Sequence, residues 1–198
     1  MENVGKSSES VVFLRGRRIF LRPPTKVDIP ILLRWLNDEE VRSYLVRYWP
    51  LSEKEELEWV ERANIRDGSD LVLLICLADG RPIGSIGLHK INRKDQTAET
   101  GTVIGEKGLW SQGYGTEAKM ILLNYAFNTL NLRKIVSHVY AFNGRSRRYS
   151  EKCGYKLEGV LKKHVFVDGE YCDVYCLAVF REEWLLLWRE QKERLIEI

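Results

Sequence analysis

Apolar and polar positions alternate along several stretches of the chain, as they do in half-buried strands. Asp79-Gly80 separates the apolar run LVLLICLA from RPIGSIGLHKI, and Asp168-Gly169 separates GVLKKHVFV from EYCDVYCLAV. Asp-Gly is a strong hairpin signal because both turn positions tolerate positive φ. The pattern therefore predicts two β-hairpins, together with a strand or tight hairpin over residues 11–22 and strands over residues 97–105 and 134–141.

In the intervening stretches apolar residues recur every three or four positions, which is the period of an amphipathic helix. Thr25 is placed to cap a helix that ends near Asn37. Ser52-Glu53-Lys54-Glu55 matches a capping box at the start of the next helix. Further helices are predicted over residues 116–129, 146–152 and 181–198.

The order of these elements predicts one mixed α/β (α+β) domain over residues 11–198, which ends in a C-terminal helix over residues 181–198. A chain of 198 residues with 44% hydrophobic and 30% charged residues is long enough to fill one core. Residues 1–10 are polar, and we expect them to form a flexible N-terminus. The oligomeric state is open from the sequence, with a homodimer as one candidate.

Charge and hydropathy exclude several classes of function. The 31 basic and 28 acidic residues leave a net charge of only +3, which argues against nucleic-acid binding through the RGRR and RSRR runs at residues 15–18 and 145–148. No apolar run approaches the roughly 18 residues of a membrane span, and the start lacks a signal core. We therefore expect a cytoplasmic protein that binds neither membrane nor nucleic acid.

The cysteines do not have the spacing of a metal site. Cys172 and Cys176 are four residues apart in a strand-like segment, unlike the paired spacing of structural zinc sites. Cys76 and Cys153 also lie in apolar stretches. We expect reduced, buried thiols and no metal.

The segment from Glu106 to Ala118, EKGLWSQGYGTEA, joins a predicted strand to a predicted helix. Gly113 and Gly115 let the backbone approach an anion closely, and the free N–H groups at a helix start hold phosphate. The loop lacks the Lys-Ser/Thr of a nucleotide triphosphate loop. It also fits the dinucleotide fingerprint, but the next strand ends without the carboxylate that would hold a ribose.

The loop is followed by Asn143-Gly144-Arg145-Ser146, CGYKLEG and REEW, and it is preceded by IGSIGL and AETGTVIG. In this order the motifs resemble the GNAT superfamily of N-acetyltransferases, specifically its RimJ/RimL-like branch. The resemblance covers about residues 10 to 184. It implies a GNAT-like, mostly antiparallel central sheet that is splayed at the cofactor site and flanked by helices. Trp110 departs from the superfamily pattern, which has Gln or Arg at that position.

The same resemblance implies that acetyl-CoA is the co-substrate and indicates which residues bind it. The strand before the glycine loop would offer backbone groups to pantetheine, with a free N–H near Ile104 as the oxyanion donor. The loop would hold the pyrophosphate, and Asn143 would bond the pantetheine amides. Arg145, Arg147 and Arg148 are candidates for meeting the 3′-phosphate. The predicted cofactor-binding residues are Val103, Ile104, Gly105, Gln112, Gly113, Tyr114, Gly115, Thr116, Asn143 and Arg148.

For the chemical step, an acceptor amine must lose a proton before it attacks. Glu99 is the first candidate for the base because Glu99, Gly101 and Val103 share one face of an extended strand. His89 and Glu106 are rivals for the role. Ser150 stands where many family members have a tyrosine, so that Ser146 and Ser150 are candidates for bonding the thiol sulfur.

The acceptor is expected to bind between the two early helices and their connection, at residues 37–50. Acidic side chains there would attract a cationic amine and aromatic ones would wall a cleft. The predicted acceptor-site residues are Asp38, Glu39, Tyr44, Trp49 and His89. The predicted activity is N-acetylation of a primary amine, either a protein N-terminus or a small amine such as a polyamine. The alternative is an acyl-CoA-binding regulatory module without turnover.

Overall fold

The computed structural model describes residues 11–63 and 68–195, and within them the strands form a single sheet. The spatial order of the strands is β1-β2-β3-β4-β5-β6-β8-β7. Their bounds are β1 Leu14–Arg15, β2 Ile19–Arg22, β3 Leu71–Leu77, β4 Pro82–Asn92, β5 Thr97–Ile104, β6 Lys134–Tyr140, β7 Lys156–Val167 and β8 Glu170–Phe180. The helices are α1 Ile29–Asn37, α2 Glu39–Ser43, α3 Glu53–Ala63, α4 Tyr114–Asn128, α5 Gly144–Lys152 and α6 Arg181–Leu195.

All neighbouring strands are antiparallel except β5 and β6, which run parallel. This parallel pairing joins only residues 97–99 to residues 134–136. Beyond Glu99 and Val136 the two strands continue without a shared ladder. The predicted fold, a mostly antiparallel sheet that is splayed and flanked by helices, is confirmed.

The apolar run of β3 shows why the sheet is buried on both faces. Leu73 and Ile75 belong to one core cluster, whereas the alternating Leu74 and Cys76 belong to another. The first cluster lies against α4 and α6, and the second lies against α1 and α3. Successive side chains of a strand point to opposite faces, so a continuous apolar run fits a sheet with helices on both sides.

Both Asp-Gly hairpins are present, with β3 and β4 around one turn and β7 and β8 around the other. Ser52 and Glu55 form the predicted capping box, since the Glu55 N–H donates to Ser52 Oγ and Glu55 Oε2 accepts from the Ser52 N–H. The short helix α2 was not predicted. It begins after Asp38, whose side chain accepts hydrogen bonds from two backbone N–H groups of the helix.

The apolar side of helix α6 packs against the core of the domain. Trp184 is fully buried and contacts Phe127 of α4, and Trp188 stacks on Trp184. Residues 1–10 and the last three residues of the predicted C-terminal helix lie outside the described residues. Across residues 11–63 and 68–195, every helix is too short or too polar to cross a membrane.

A buried ion pair fixes the chain where it leaves β2 for α1. Arg22 donates two hydrogen bonds to the Asp28 carboxylate, at 2.8 and 2.6 Å, and Thr25 donates two more. Burial alone would raise the pKa of the Asp28 carboxyl. The hydrogen bonds from Arg22 and Thr25 outweigh that effect and hold the pKa below its ordinary value.

We expect Asp28→Asn to lower the free energy of unfolding by about 3–5 kcal/mol, because it leaves the Arg22 charge buried without its partner. The matched control is Glu61→Gln, which breaks the exposed ion pair with Lys26 and should cost under about 1 kcal/mol. Urea unfolding at neutral pH measures both. Equal losses in the two variants would contradict the prediction.

Folding lowers the pKa of Asp28, so the ionised carboxylate contributes its full stabilisation of the fold at pH values above the unfolded pKa. This stabilisation is lost as the pH falls from the unfolded pKa through the folded pKa. Between about pH 6 and pH 3 the wild type should therefore lose more stability than Asp28→Asn. Parallel pH dependences would show that this carboxylate does not contribute to acid unfolding.

Candidate active site

A cleft of about 1050 Å³ opens where β5 and β6 separate. We call it the main cleft. Its lining comes from β4, β5 and β6, from the loop before α4, from α5, and from the region of α1, α2 and α3. It therefore extends from the glycine loop, across the face of the sheet, to the early helices.

Where β5 and β6 separate, side-chain hydrogen bonds replace the backbone hydrogen bonds of the ladder. The Thr100 hydroxyl donates to the Val136 carbonyl at 3.4 Å, and the Ser137 hydroxyl donates to the Thr100 carbonyl at 3.5 Å. The Tyr155 hydroxyl lies 2.9 Å from Thr100 Oγ1. Hydroxyls thus satisfy the backbone at the fork, while the strands beyond it remain free to diverge.

The free edge of β5 presents backbone groups to the gap between β5 and β6. The Gly105 N–H donates to the Ile83 carbonyl of β4 at 2.9 Å. Backbone N–H groups alternate in direction along a strand. The Val103 N–H therefore also points toward β4, and the Ile104 N–H points into the gap. The Ile104 carbonyl accepts from Trp110 Nε1 at 2.6 Å. Ile104 thus has a free edge, as its predicted role requires. The Gly105 N–H is used within the sheet, whereas the Val103 side chain lines the cleft. That Val103, Ile104 and Gly105 contact pantetheine stays a prediction.

The same gap contains an unmatched polar atom. Thr102 Oγ1 is buried and has no hydrogen-bond partner among the described residues, and Thr102 lines the main cleft. Buried polar atoms are nearly always bonded in a complete structure. An extended ligand that carries amide groups, as pantetheine does, fits this edge.

Helix α4 begins at the glycine loop with its N–H groups exposed to the cleft. Gly113 adopts φ +87° and caps the helix, and its carbonyl accepts from the Glu117 N–H at 3.0 Å. The three preceding N–H groups, of Tyr114, Gly115 and Thr116, have no acceptor within the helix. All three residues line the main cleft, and free N–H groups at the positive end of a helix dipole suit an anion.

Arg18 and Glu117 hold this loop from behind. Glu117 is buried and accepts from both the backbone N–H and the Nε of Arg18, each at 2.8 Å. Arg18 also donates to the Gln112 carbonyl at 3.1 Å and lies over the Tyr114 ring. The Gln112 side chain donates to the Gly108 carbonyl and is outside the cleft lining, so its predicted contact with phosphate is not supported. Sequence reasoning missed Arg18.

Helix α5 brings more positive charge to this part of the cleft. Arg145 and Arg148 line it, whereas Arg147 pairs with Glu151 and does not. Arg145 lies over the Trp110 ring at 4.0 Å, which gives a structural reason for the tryptophan at this position. Asn143 lines the cleft too, but its side-chain oxygen caps α5 by accepting from the N–H of Ser146.

The predicted base Glu99 lies beside the cleft and is not among its lining residues. Its carboxylate accepts from Lys90 at 3.0 and 3.2 Å, and His138 lies 3.8 Å away. His89 and His138 both line the cleft, and His138 was not singled out from the sequence. Glu106 is held by Arg34 and Trp35 on a smaller, separate pocket.

The two predicted serines of α5 lie in different environments. Ser146 lines the cleft, but Ser150 is fully buried, 3.5 Å from the ammonium of Lys119, and is outside the lining. Tyr149 lines the cleft instead, with its ring 4.5 Å from that ammonium. One residue along a helix rotates a side chain by about 100°, which separates these two neighbours.

The acidic residues predicted to attract the acceptor are not the ones that line the cleft. Asp38 caps α2 and pairs with Lys107 at the smaller pocket, and Glu39 is outside the lining. Trp49 is 84% exposed and also outside it, whereas Tyr44 lines the cleft as predicted. The cleft's carboxylates come from α3 instead, which we call the acidic end: Glu55, Glu56 and Glu58.

Within the described residues, no group of three or more His, Cys, Asp or Glu side chains is arranged to hold a metal ion. The four cysteines are free, with Cys76 and Cys153 buried and Cys172 and Cys176 partly buried. Burial raises the pKa of the Cys153 thiol to about 12, which keeps it protonated near neutral pH.

The separated strands, the free edge of β5 and the exposed helix start of α4 are the features that the resemblance to the GNAT superfamily implied. The sequence model of the acetyltransferase (GNAT) domain matches residues 18–156. The chain belongs to this family. The protein is an N-acetyltransferase that uses acetyl-CoA.

Similar proteins cover most of the chain. Spermidine N(1)-acetyltransferase of Vibrio cholerae is 29% identical over 158 residues, which are 77% of this chain and 90% of that protein. The prophage-derived, uncharacterized N-acetyltransferase YokL of Bacillus subtilis is 29% identical over 177 residues, covering 89% and 98%. The crystal structure of the Vibrio cholerae spermidine N-acetyltransferase with CoA and spermine superimposes with a TM-score of 0.79 at 26% identity, covering 85% of this chain and 98% of that one.

These comparisons confirm the predicted family. The finer assignment to the RimJ/RimL-like branch stays a prediction, because the relatives named above are spermidine N-acetyltransferases and an N-acetyltransferase without a named acceptor.

Gly113→Val should weaken CoA binding at least about tenfold, because a β-branched residue is strained at positive φ and its Cβ would meet Arg18 at 3.3 Å. The matched control is Gly108→Ala in the same loop, where an added Cβ meets nothing within 4 Å. Calorimetric titration with CoA measures both affinities. Wild-type affinity in Gly113→Val would remove the loop from the cofactor site.

Proposed function

We propose that the protein transfers the acetyl group of acetyl-CoA to a primary amine of a small cationic acceptor, with polyamines as the class. The observation that carries this proposal is the division of charge within one continuous cleft. Arg145, Arg148 and the helix start of α4 supply positive charge, and on α3 the three carboxylates of the acidic end outnumber Arg47 and Arg62, which also line the cleft. The first suits the phosphates of CoA, and the second suits a cation. The similarity to spermidine acetyltransferases agrees with this choice of acceptor.

In this proposal the chain positions the reactants mainly through its backbone. The N–H groups of Tyr114, Gly115 and Thr116 hold the pyrophosphate, and Arg148 meets the 3′-phosphate. The pantetheine arm lies along the free edge of β5. The Ile104 N–H then donates to the thioester carbonyl oxygen, where negative charge develops as the amine attacks. Alignment of the amine with the thioester supplies much of the rate.

For the proton of the acceptor amine we propose His89 in place of Glu99. The His89 imidazole lies over the glycines opposite each other on β4 and β5, since its Nε2 is 2.8 and 3.5 Å from Cβ positions built on Gly87 and Gly101. The glycines make room for the imidazole itself, since a Cβ at Gly87 would come within 2.8 Å of it, and in this position His89 lines the main cleft. The Glu99 oxygens are already bonded to Lys90.

For the departing CoA thiolate we propose that Tyr149 supplies the proton. Its side chain lines the cleft, whereas Ser150 is buried behind it. Ser146 also lines the cleft and is the remaining predicted hydroxyl near the sulfur.

The proposed function is tested by release of free CoA from acetyl-CoA with a panel of acceptors. We expect turnover with spermidine, spermine and simple diamines, and less with peptides that carry a free N-terminus, because the acidic end favours an acceptor with more than one positive charge. Faster turnover with the peptides would favour a protein N-terminus as the acceptor. CoA binding without turnover across the panel would favour the regulatory module.

His89→Gln should lower kcat/KM about 100-fold or more, because general bases contribute about 10²–10⁴ in rate. Glu99→Gln serves as the control, with a change of less than about fivefold, since its carboxylate is bonded to Lys90 outside the cleft lining. The reverse order of effects would restore Glu99 as the base.

A further inference from the structure

Glu56 is a buried residue on the wall of the main cleft, and one oxygen of its carboxylate lacks a hydrogen-bond partner. It lies on α3 and is only 2% exposed. Its Oε1 has no hydrogen-bond partner among the described residues. A buried ionisable oxygen is costly unless it is paired, so a carboxylate in this state at a ligand cleft indicates a missing donor.

The other charged groups near Glu56 do not satisfy it. Glu55 uses its carboxylate to cap α3 at Ser52, and Glu61 pairs with Lys26. Arg47 lines the same cleft but forms no ion pair with Glu56 within the described part of the chain. Burial raises the pKa of the Glu56 carboxyl, and the attraction of Arg47 offsets only part of that effect. A cation that reached Glu56 from the cleft would stabilise the ionised form of its carboxyl.

The reacting nitrogen is a poor match for this carboxylate. An amine attacks only after losing its proton, and an adjacent carboxylate would stabilise the ammonium form. A second nitrogen of the same acceptor has no such restriction, because it stays protonated throughout. Apolar side chains also line this part of the cleft, and they suit the methylene chain between two amines: Leu45, Trp59 and Val72.

We propose that Glu56 is the anchor for a second, protonated nitrogen of the acceptor and therefore selects diamines and polyamines over monoamines. The proposal rests on the proposed function and specifies its acceptor site. Glu56 takes no part in the chemical step. It fixes the far end of the acceptor so that the near amine meets the thioester at β5.

Steady-state kinetics of wild type and Glu56→Gln with a diamine, 1,4-diaminobutane, and with n-butylamine tests the anchor. In the variant we expect KM for the diamine to rise at least about tenfold while kcat changes by less than about threefold, as expected when binding alone is lost. The ratio of kcat/KM for diamine over monoamine should fall at least about tenfold. CoA affinity and Tm report on the fold.

The matched control is Glu61→Gln, which makes the same charge change on the same helix at an exposed residue outside the cleft lining. It should change the diamine-to-monoamine ratio less than about threefold, because exposed charges are screened. An unchanged ratio in Glu56→Gln, an equal effect in Glu61→Gln, or an equal fall in kcat with both amines would each overturn the anchor.

Calorimetric titration of 1,4-diaminobutane tests the role of Glu56 as an anchor independently of acetyl transfer. Weaker binding to Glu56→Gln than to wild type supports the anchor even if CoA is not released. Equal affinity for the two proteins overturns it. A wild type that acetylates amines but shows no difference from the variant leaves the proposed function standing without this anchor.

Discussion

The site depends on the end of the ladder between β5 and β6. After Glu99 and Val136 the two parallel strands share no further pairing, and hydroxyls of Thr100 and Ser137 satisfy the backbone at the fork. A continuous sheet would use the Ile104 backbone within its ladder and would leave no space for an extended ligand. The separation therefore creates both the cleft and the free edge that lines it.

The surrounding side chains fix the position of this edge relative to the start of α4. Trp110 bonds the Ile104 carbonyl on one side and lies under Arg145 on the other. Arg18 and the buried Glu117 hold the glycine loop from behind. Because these contacts tie the glycine loop to β5, to α5 and to the segment around Arg18, the backbone donors for the cofactor are preorganised before it binds.

Local sequence signals predicted those parts of the molecule whose structure is set locally. The two Asp-Gly hairpins and the capping box at Ser52 follow from the conformations that these residues favour, and the helix predicted from residue 116 begins two residues earlier, after Gly113. The acidic cluster at residues 38–40 was assigned to the acceptor site, but Asp38 serves as a helix cap and binds Lys107. The role of α3 was missed because its acidic residues look like a solvated face, and only the packing of α3 against α1 and the sheet buries Glu56. Which of Tyr149 and Ser150 faces the cleft depends on the rotation of α5, which the sequence spacing does not determine.

The most direct test of the account is a crystal structure of the protein with CoA. The account predicts pyrophosphate oxygens at about 2.7–3.2 Å from the N–H groups of residues 114–116, with the pantetheine arm between β5 and β6 and bonded to the Ile104 backbone. CoA bound elsewhere, with β5 and β6 closed on each other and those N–H groups bonded to the protein, would contradict it.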